Sequence, residues 1–503
     1  MRNKPGYLLG LDAGNTVIKA ILFDLDGNPI AKAARDGRSS CPAPGYVERD
    51  LAELWANAKQ VIGQCLEKAQ VDPSEILGVG CAGHGNGLYL LDQDKAPLTG
   101  IQSLDTRAAS LAEQLGNENG QPLHALCLQK PWPSQSATLL AWIKNNRPEL
   151  YAETGTVFFC KDFITYQLTG ALVSDVSDMS GAGFLRMPDC QYDDELLTLY
   201  GLQDARHMLP KLIQPDEIAG FVTEEAAELT GLKAGTPVVG GLFDVVASAL
   251  GSGAVKPNQA SIIAGTWSIN QVLSKTPVVD EGIFMVSGFG PARFMNIEAS
   301  ATSAANLEWY VREFVERGGH HDDPFGYCNA IIEKVTPKAD DPIFHPFLYG
   351  SGQGAHMRAG FYGLAGWHSE GHMLRALFEG VVFEHRRHVE GLVAGGVEFG
   401  DAILSGGGSR SPVWPQMFAD CLGANMSVAA CEETGALGAA IAAGQGAGVF
   451  ESLDEGVSKM TREKARFSPN PDLLTHYDER YEMFVQLKTA MDDFWTMQAK
   501  RQS

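Results

Sequence analysis

The sequence predicts an α/β protein of two domains, and three observations support this prediction. Its 503 residues are enough for two domains, each with its own hydrophobic core. Short apolar strand patterns and longer helical patterns follow one another along the chain. A strand–turn–strand pattern at residues 7–24 has a counterpart at residues 260–269, which indicates a duplicated architecture. We therefore expect an N-terminal domain over residues 1–251 and a C-terminal domain over residues 252–503.

The composition narrows the classes of function that the chain can serve. It has 39 Lys and Arg residues against 61 Asp and Glu residues, a net charge of −22. Such a surface repels nucleic acid and acidic membrane, so neither is an expected partner. Nine cysteines without a Cys-x-x-Cys pair are typical of reduced thiols, and no apolar run reaches the length of a membrane span. A signal-peptide pattern is also missing, so we expect a cytoplasmic protein.

The first strand–turn–strand unit has a turn of small polar residues. Residues 7–12 and 17–24 have the apolar pattern of adjacent strands, and residues 13–16 between them are Ala-Gly-Asn-Thr. Such a turn can direct N–H and O–H donors at a phosphate, while Asp12 faces a hydrated metal ion. Taken alone, however, this stretch is better explained as an ordinary hairpin.

Two loops further along the chain contain candidate contacts for a sugar. His84 and Gly85 follow a buried strand pattern at residues 76–82, although a loop histidine is more often an ordinary surface residue. Asp105 accepts hydrogen bonds and Arg107 donates them, which suits the recognition of hydroxyl groups. An ion pair at the start of a helix explains these two residues equally well.

Other stretches carry no chemistry in this interpretation. Residues 174–178 (Ser-Asp-Val-Ser-Asp) have the composition of a polar loop, and residues 185–235 have that of a surface connection. The tail after residue 450 is polar with a helical pattern, so we expect it at the periphery of the molecule.

The chain is centred on residues 237–253. Their pattern predicts a short buried strand, a turn at Gly240 and Gly241, and an apolar helix. Asp244 is the one charged residue in this run. A carboxylate at the mouth of such a turn is unfavourable unless it has a partner or a function. We interpret Asp244 as the catalytic base of an ATP-dependent kinase.

The second half of the chain contains two glycine motifs. Gly265 and Thr266 lie in the turn of the second strand–turn–strand unit. A glycine run at residues 406–408 follows a buried strand pattern and precedes a helix that starts near Trp414. Backbone without side chains can lie against a flat ring or a phosphate, and a helix N-terminus favours the anion. Loops often contain glycine, so the run alone does not decide the function.

Taken in order, these motifs resemble the actin-like ATPase superfamily, which includes sugar kinases, heat-shock 70 chaperones and actin. They are most similar to the FGGY family of carbohydrate kinases, over roughly residues 6–450. Residues 359–364 followed by residues 372–380 match the C-terminal signature of that family, and residues 139–144 match its other signature loosely. The resemblance implies two ribonuclease-H-like domains on either side of a central cleft, the first for the sugar and the second for the adenine nucleotide.

The resemblance also implies roles for individual residues. Asp244 would take the proton from the sugar hydroxyl, and Asp12 with Asp244 would hold Mg²⁺. The first phosphate loop would consist of Gly14, Asn15, Thr16 and Lys19, and the transferred phosphate would meet Gly265 and Thr266. The adenosine would lie against Gly406, Gly407, Gly408 and Gln416. The sugar would face His84, Gly85, Asp105, Arg107 and Asp244. Family members usually have Thr-Thr or Thr-Ser where Asn15-Thr16 stands, and the Asn15 amide can still donate a hydrogen bond.

Residues around the base and in a later loop indicate the substrate class. Residues 240–246 and 346–351 look most like those of L-xylulose and 3-keto-L-gulonate kinases. D-xylulose kinases usually have Gln-Met-His-Gly where residues 82–85 are Ala-Gly-His-Gly, and glycerol kinases have an Arg-Glu pair that is absent here. We expect transfer of the γ-phosphoryl group of ATP, with Mg²⁺, to a ketopentose such as L-xylulose or xylulose, which gives xylulose 5-phosphate. D-xylulose, ribulose, erythritol, glycerol and 3-keto-L-gulonate remain open.

Proteins of other classes use the same fold. A catalytically silent sugar or nucleotide sensor would be expected to lose Asp12, Asp244 and the glycine run, all of which are present. A chaperone would need an appended peptide-binding domain, and we expect none because the tail after residue 450 is short. The oligomeric state stays open, with a homodimer as one alternative.

Overall fold

The computed structural model describes residues 6–319, 321–351 and 357–501 of the chain. The chain divides into two compact units, each assembled from separate stretches. Unit 1 consists of Met1–Pro257, Leu273–Asn296 and Glu433–Arg462, and unit 2 consists of Asn258–Val272, Ile297–Glu432 and Glu463–Ser503. The proposed domain boundary between residues 251 and 252 stays a prediction.

Strands occur throughout the described chain. In chain order they are β1 (Tyr7–Ala13), β2 (Val17–Asp24), β3 (Pro29–Asp36), β4 (Glu48–Arg49), β5 (Ile76–Gly83), β6 (Leu88–Asp92), β7 (Pro97–Ile101), β8 (Thr154–Phe158), β9 (Val173–Asp175), β10 (Leu185–Arg186), β11 (Gln191–Tyr192), β12 (Lys211–Ile213), β13 (Ile218–Phe221), β14 (Pro237–Val239), β15 (Leu242–Phe243), β16 (Ala260–Ala264), β17 (Ser268–Ser274), β18 (Met285–Gly288), β19 (Phe294–Ser300), β20 (Ile343–His345), β21 (Gly360–Tyr362), β22 (Ala402–Ser405), β23 (Met426–Ala429) and β24 (Glu463–Phe467).

Helices connect and cover these strands. In chain order they are α1 (Leu51–Ala69), α2 (Ala109–Cys127), α3 (Ser136–Asn146), α4 (Pro148–Glu153), α5 (Cys160–Thr169), α6 (Val176–Gly181), α7 (Asp194–Leu199), α8 (Glu224–Thr230), α9 (Asp244–Ser252), α10 (Ala305–Tyr310), α11 (Glu316–Gly318), α12 (Pro324–Ile332), α13 (Glu370–Ala394), α14 (Trp414–Leu422), α15 (Thr434–Gly446), α16 (Leu453–Met460) and α17 (Pro471–Ala499). Short 3₁₀ turns lie at Pro73–Glu75, Ala205–Met208 and Gly407–Arg410, and a π-helical stretch lies at Val311–Val315. Of the helices described, none combines the length and the apolar composition that a membrane span requires.

The main sheet of unit 1 has the strand order β13-β14-β5-β1-β2-β3, and β15 also pairs with β5. β1 and β2 form an antiparallel hairpin, whereas β1 and β5 run parallel. Leu9 and Leu11 of β1 belong to an apolar cluster with residues of α1. Gly10, which points the other way, faces α15, because a Cβ at this position would lie 1.9 Å from the carbonyl oxygen of Ala436. Helices therefore cover β1 on both faces, which explains its continuous apolar sequence.

A smaller antiparallel sheet in unit 1 has the order β4-β7-β6-β8. A second apolar cluster lies beside it and includes Leu88 and Leu90 of β6 with Leu139 and Leu140 of α3. Strand β6 follows the end of β5 after a short loop at residues 84–87. This sheet therefore supports the loop that carries the predicted sugar contacts His84 and Gly85.

The sheet of unit 2 repeats the local topology of the first sheet. The strands that belong wholly or partly to unit 2 follow the order β19-β17-β16-β22-β23-β24. β16 and β17 form an antiparallel hairpin, and β16 pairs in parallel with β22, just as β1 pairs with β2 and β5. The two strand–turn–strand patterns of the sequence thus correspond to equivalent hairpins of two sheets.

Three expectations for the scaffold are wrong. Residues 185–235 are not a surface connection throughout, because Leu185, Leu196 and Leu202 belong to the second apolar cluster. Residues 174–178, which have the composition of a polar loop, form the end of β9 and the start of α6, and they are buried. The tail after residue 450 is not peripheral throughout, because β24 pairs with β23 and Arg480 of α17 is only 1 % exposed. The Arg480 guanidinium donates to Glu379 at 2.9 Å, which explains why this part of the tail is buried. The local sequence does not predict this partner, because Glu379 is distant in the chain.

Candidate active site

Asp244 begins helix α9 immediately after the Gly-Gly turn. Gly241 has a φ of +81°, and a Cβ at this position would lie 2.1 Å from the carbonyl oxygen of Cys81, so the turn requires glycine for two reasons. After the turn the chain forms β15, which pairs with β5. The Phe243 N–H donates to Ser177 Oγ at 2.9 Å. Asp244 is therefore held in place by the residues that precede it.

The ends of three neighbouring strands bring the predicted residues of unit 1 together. Ala13 of β1 and Phe243 of β15 both lie beside Gly83 at the end of β5. The His84 N–H donates to the carbonyl oxygen of Ala13 at 3.0 Å. Asp12, His84 and Asp244 are the neighbours of these residues along the chain, so they lie at the same edge of the sheet. Such an edge is a common position for a ligand in α/β folds.

The carboxyl groups of Asp12 and Asp244 both have raised pKa values, and the charge of Asp12 acts on Asp244. Burial, and then the negative charge of Asp12, raise the pKa of Asp244 to about 8. Burial also raises the pKa of Asp12 to about 6, where Lys19 lowers it and Glu433 raises it further. Both side chains keep some solvent exposure. Two half-buried acids with raised pKa values favour a bound proton or a cation between them.

This pair fits Mg²⁺ as a ligand set. Mg²⁺ in kinases is usually held by one or two carboxylates, water molecules and the phosphates of the substrate, rather than by a cage of protein ligands. Among the described residues, no group of three or more His, Cys, Asp or Glu side chains could hold a metal ion. The assignment of Asp12 and Asp244 as the residues that would hold Mg²⁺ stays a prediction.

The predicted first phosphate loop is a tight turn held by its neighbours. The Gly14 N–H donates to the carbonyl oxygen of Val17 at 3.0 Å, and the carbonyl oxygen of Thr16 accepts from Gly37 N at 2.7 Å. The Asn15 side chain donates to Ser103 Oγ at 2.9 Å. Lys19 pairs with Glu433 at 2.7 Å. The turn is therefore preorganised, and contact of these residues with phosphate stays a prediction.

His84 is a buried, neutral residue rather than a surface histidine. Its side chain is 3 % exposed, and its Nε2 atom shares a hydrogen bond of 2.8 Å with the Tyr89 hydroxyl. Burial, and then the positive charge of Arg49, lower the pKa of His84 to about 3. Next to it, a Cβ on Gly85 would lie 2.4 Å from the Phe243 ring. Gly85 thus allows close packing against the residue that precedes Asp244.

Asp105 and Arg107 bond to each other. The Arg107 guanidinium donates to Asp105 Oδ1 from Nε at 2.9 Å and to Oδ2 from Nη2 at 2.8 Å. Nη2 also donates to Glu48 at 2.7 Å, and the guanidinium lies 4.0 Å from the centre of the Tyr46 ring. The structure therefore contains the ion pair that was the alternative explanation, and the sugar contact stays a prediction.

Unit 2 brings its two glycine motifs together. Gly406 has a φ of +81°, and a Cβ there would lie 2.9 Å from the carbonyl oxygen of Ala264, directly before Gly265. The carbonyl oxygen of Gly265 accepts from Ala304 N at 2.9 Å, and Thr266 is exposed. The turn of the β16–β17 hairpin and the glycine run after β22 are thus neighbours.

A cavity of about 760 Å³ opens beside the glycine run within unit 2. Its volume lies in the range typical of sites for nucleotide-sized ligands. Among the residues that line it are Gly407, Gly408, Asn329, Phe325, Ser411 and Trp414. Ser411 Oγ donates to Asn329 Oδ1 at 2.7 Å, and the indole N–H of Trp414 donates to the carbonyl oxygen of Phe378 at 3.2 Å.

Two of the residues predicted to flank adenosine are not among those that line the cavity. Gly406 packs against Ala264, and Gln416 Nε2 donates to Asp420 Oδ1 at 2.7 Å and to the carbonyl oxygen of Ser468 at 2.9 Å. Their contact with a nucleotide stays a prediction. Gly407 and Gly408 are the members of the predicted set that face the cavity.

No local pattern pointed to two residues that support the candidate site of unit 1. Arg49 is 2 % exposed, and its Nη1 donates to the carbonyl oxygen of Gly14 at 3.0 Å. Gly37 leaves room for it, because a Cβ there would lie 1.7 Å from Arg49 Nη2. Glu433 pairs with Lys19 from the start of α15. Only the tertiary contact reveals either role, since both partners are remote in the chain.

Comparisons with known proteins show the family of the chain. Residues 7–251 match the model of the N-terminal domain, and residues 260–447 that of the C-terminal domain, of the FGGY family of carbohydrate kinases. A protein of Pasteurella multocida named "Probable L-xylulose kinase" is 37% identical over 96% of this chain and 99% of its own length. The "L-xylulose/3-keto-L-gulonate kinase" of Escherichia coli is 35% identical over 97% of this chain and 98% of its own length.

A solved structure has the same fold over nearly the whole chain. The crystal structure of xylulose kinase from Rhodospirillum rubrum is 28% identical and covers 97% of this chain and 100% of its own, with a TM-score of 0.88. The predicted two-domain α/β fold and the predicted class of enzyme, a phosphotransferase acting on carbohydrate, are confirmed by these matches. The chain belongs to the FGGY family of carbohydrate kinases.

Proposed function

We propose that this chain transfers the γ-phosphoryl group of ATP to a hydroxyl of a ketopentose, L-xylulose or xylulose, and releases xylulose 5-phosphate. The names of the relatives from Pasteurella multocida and Escherichia coli support this substrate class. The observation that carries the proposal is the position of Asp244, which starts a helix beside Asp12 and has a pKa raised to about 8. The predicted homodimer and cytoplasmic location stay predictions.

Asp244 has the properties of a general base. Phosphoryl transfer needs positioning and charge neutralisation more than covalent catalysis. A base is most effective when its pKa lies near the working pH, and a pKa of about 8 meets this condition. Asp244 would accept the proton of the attacking sugar hydroxyl as the new P–O bond forms. Mg²⁺, when bound at Asp12 and Asp244, would neutralise phosphate charge and favour the ionised form of Asp244.

The unit 2 cavity is the proposed site of the nucleotide base and ribose. Gly407 and Gly408 present bare backbone to it, and Phe325 and Trp414 supply apolar surface. Gly265 and Thr266 lie next to the glycine run, and we assign them to the phosphates. This assignment combines the family resemblance with the proximity of the two glycine motifs in the described part of unit 2.

A second candidate substrate is 3-keto-L-gulonate, because the name of the Escherichia coli relative includes it. The carboxylate of this sugar acid would require a cationic partner. Arg107, the predicted cationic sugar contact, already donates to Asp105 and Glu48. Because Arg107 is already bonded to these two carboxylates, we favour the neutral ketopentose over the sugar acid as the substrate.

A coupled assay of ADP release tests the substrate class. L-xylulose, D-xylulose, ribulose, erythritol, glycerol and 3-keto-L-gulonate are compared at equal concentration, with Mg²⁺ and ATP. We expect the highest kcat/KM for L-xylulose. The proposal fails if no sugar raises ADP release above the rate without sugar.

Asp244→Asn tests the assignment of the base. The amide cannot accept the proton, so we expect kcat to fall at least about 100-fold. ATP binding, measured by calorimetry, should stay measurable because the proposed nucleotide site lies in unit 2. Asp472→Asn, at an exposed position in α17, is the matched control and should leave kcat unchanged. Near-normal turnover of Asp244→Asn would exclude Asp244 as the base.

A further inference from the structure

Unit 2 contains a buried polar network that the reaction does not explain. It consists of Ser268 and Asn270 of β17, Ser300 and Ser303 near the end of β19, and His385 and His388 of α13. None of these side chains is more than 3 % exposed. Buried polar side chains are unfavourable unless they are fully hydrogen-bonded, so the geometry of this network is tightly constrained. We refer to these six residues as the Asn270 network.

Asn270 bonds to both histidines. Its Nδ2 group donates to His388 Nδ1 at 2.9 Å, while its Oδ1 atom accepts from His385 Nδ1 at 2.9 Å. One ring therefore presents an acceptor at Nδ1 and the other a donor at the same atom. Because a neutral imidazole carries one proton, the two rings must have opposite tautomers.

Two serines bond to the second nitrogen of each ring, as these tautomers require. His388 Nε2 lies 3.0 Å from Ser300 Oγ and donates to it, and His385 Nε2 lies 3.2 Å from Ser303 Oγ and accepts from it. Burial lowers the pKa of both histidines, and for His388 the charges of Arg387 and His385 lower it further. Both rings are thus neutral at physiological pH.

The network lies directly behind the Gly265–Thr266 turn. Ser268, whose Oγ is 3.4 Å from His388 Nδ1, follows that turn by two residues at the start of β17. Ser303 precedes Ala304, whose N–H donates to the carbonyl oxygen of Gly265 at 2.9 Å. His388 thus contacts β17, which follows the turn. His385 contacts Ser303, the neighbour of the residue that donates to Gly265.

We propose that His385 and His388, linked by Asn270 as opposite tautomers, position the Gly265–Thr266 turn for the terminal phosphate of ATP. The proposal rests on the proposed function, which assigns this turn to the phosphates. The histidines are positioning residues, because they act through β17 and Ala304 and have no direct contact with the turn in the described hydrogen bonds.

Nitrogen-15 NMR of the full-length chain tests the tautomers without any substrate. The ring nitrogens are labelled, and single His→Gln variants assign the signals. At pH 7 we expect the Nδ1–H form for His385 and the Nε2–H form for His388. The network is excluded if both rings have the same tautomer, or if either ring is charged at this pH. This result does not depend on the substrate of the enzyme.

Two substitutions of His388 test the positioning role. Asparagine can place an acceptor near the Nδ1 position and keep the link to Asn270, whereas glutamine can reach Ser300 instead and lose that link. We expect His388→Gln to weaken ATP binding by about fivefold or more and to leave ADP binding unchanged. His388→Asn should restore most of the ATP affinity. Calorimetry with ATP and ADP measures both variants.

His345→Asn is the matched control, since His345 is also a buried histidine of unit 2 and its Nε2 atom donates to the carbonyl oxygen of Phe484 at 3.2 Å. It should lower the melting temperature and leave the ratio of ATP to ADP affinity unchanged. The positioning role is excluded if His388→Gln weakens ATP and ADP binding equally, or changes only the melting temperature. A chain that binds ATP and phosphorylates no sugar would contradict the proposed function and leave this proposal standing.

Discussion

Lys19 Nζ lies 2.7 Å from Glu433 Oε2, although the two residues are 414 positions apart in the chain. Lys32 contacts the other oxygen of the same carboxylate. Burial raises the pKa of Glu433, but the hydrogen bonds and charges of the two lysines lower it by more, so the pair stays ionised. Glu433 immediately precedes α15, whose first turn lies against Asp12. The contact therefore fixes a cation beside the proposed metal-binding carboxylate.

Replacing Glu433 should lower the turnover number without weakening the binding of ATP. Glu433→Gln removes a negative charge near the predicted first phosphate loop and weakens the partner of Lys19. We expect kcat to fall about 10-fold, because a displaced positioning group is costly in the transition state, while KM for ATP does not rise. Steady-state kinetics with varied ATP measure both constants. Lys32→Met, which alters the half-exposed lysine of the same cluster, should change kcat less than twofold. An unchanged kcat in Glu433→Gln would show that the orientation of Lys19 is unimportant.

Close packing of α15 on α9 should make Gly438 intolerant of a side chain. A Cβ at Gly438 would lie 1.9 Å from the carbonyl oxygen of Ala247, and α9 begins at Asp244. We expect Gly438→Ala to lower the free energy of unfolding by about 1–3 kcal/mol in a urea titration. Gly116 lies inside α2 with no atom near its Cβ position, so Gly116→Ala should raise it by about 0.5–1 kcal/mol. Equal effects of the two substitutions would contradict the packing explanation.

Lys161 should contribute strongly to stability because it neutralises a buried acidic cluster. Its Nζ lies 2.5 Å from Asp162, 2.8 Å from Asp175 and 3.2 Å from Asp178, and none of these side chains is more than 1 % exposed. Lys161→Met leaves buried carboxylates without a cation, and we expect a loss of about 3–5 kcal/mol in the free energy of unfolding. Lys144 pairs with Asp204 at the surface, so Lys144→Met should cost less than about 1 kcal/mol. Guanidinium titrations of both variants make the comparison, and a loss in Lys161→Met as small as that in Lys144→Met would rule out this role.

Buried histidines should make the protein less stable in mild acid. Burial lowers the pKa of His345 to about 4, from an ordinary value of 6.5. Between these two pH values the unfolded chain binds a proton that the folded chain does not, so the stabilisation is complete above pH 6.5 and is lost as pH falls towards 4. Each such histidine contributes about 1.4 kcal/mol per pH unit in this window.

The change of slope in a single variant isolates one histidine from the other titrating groups. His345→Gln should reduce the dependence of the free energy of unfolding on pH between 6 and 5 by roughly 1 kcal/mol per pH unit. Urea titrations at several pH values measure the slope. His207→Gln, at an exposed position, should leave the slope of the parent protein intact. If the parent and His345→Gln have parallel curves, His345 is not a buried neutral group.

Local patterns were sufficient to predict the elements that carry the site. The hairpins β1–β2 and β16–β17, the Gly-Gly turn and helix α9 all depend on residues within one short stretch. Their order along the chain indicated the FGGY family, and the family matches confirm that prediction. The same reasoning failed at residues 174–178, because acidic residues are usually exposed and nothing nearby showed that Lys161 would bury with them. It also missed the pairing of β24 with β23.

The sequence by itself determined the fold class and the family, and it singled out Asp244 as the acid that follows the Gly-Gly turn. These follow from periodicity, turn chemistry and motif order, which are properties of neighbouring residues. Only the tertiary structure decided that Lys19 meets Glu433, that Arg49 supports Gly14, and that Asn270 joins two histidines. Charges and polar groups find their partners through burial, and burial depends on how distant segments pack rather than on the local sequence.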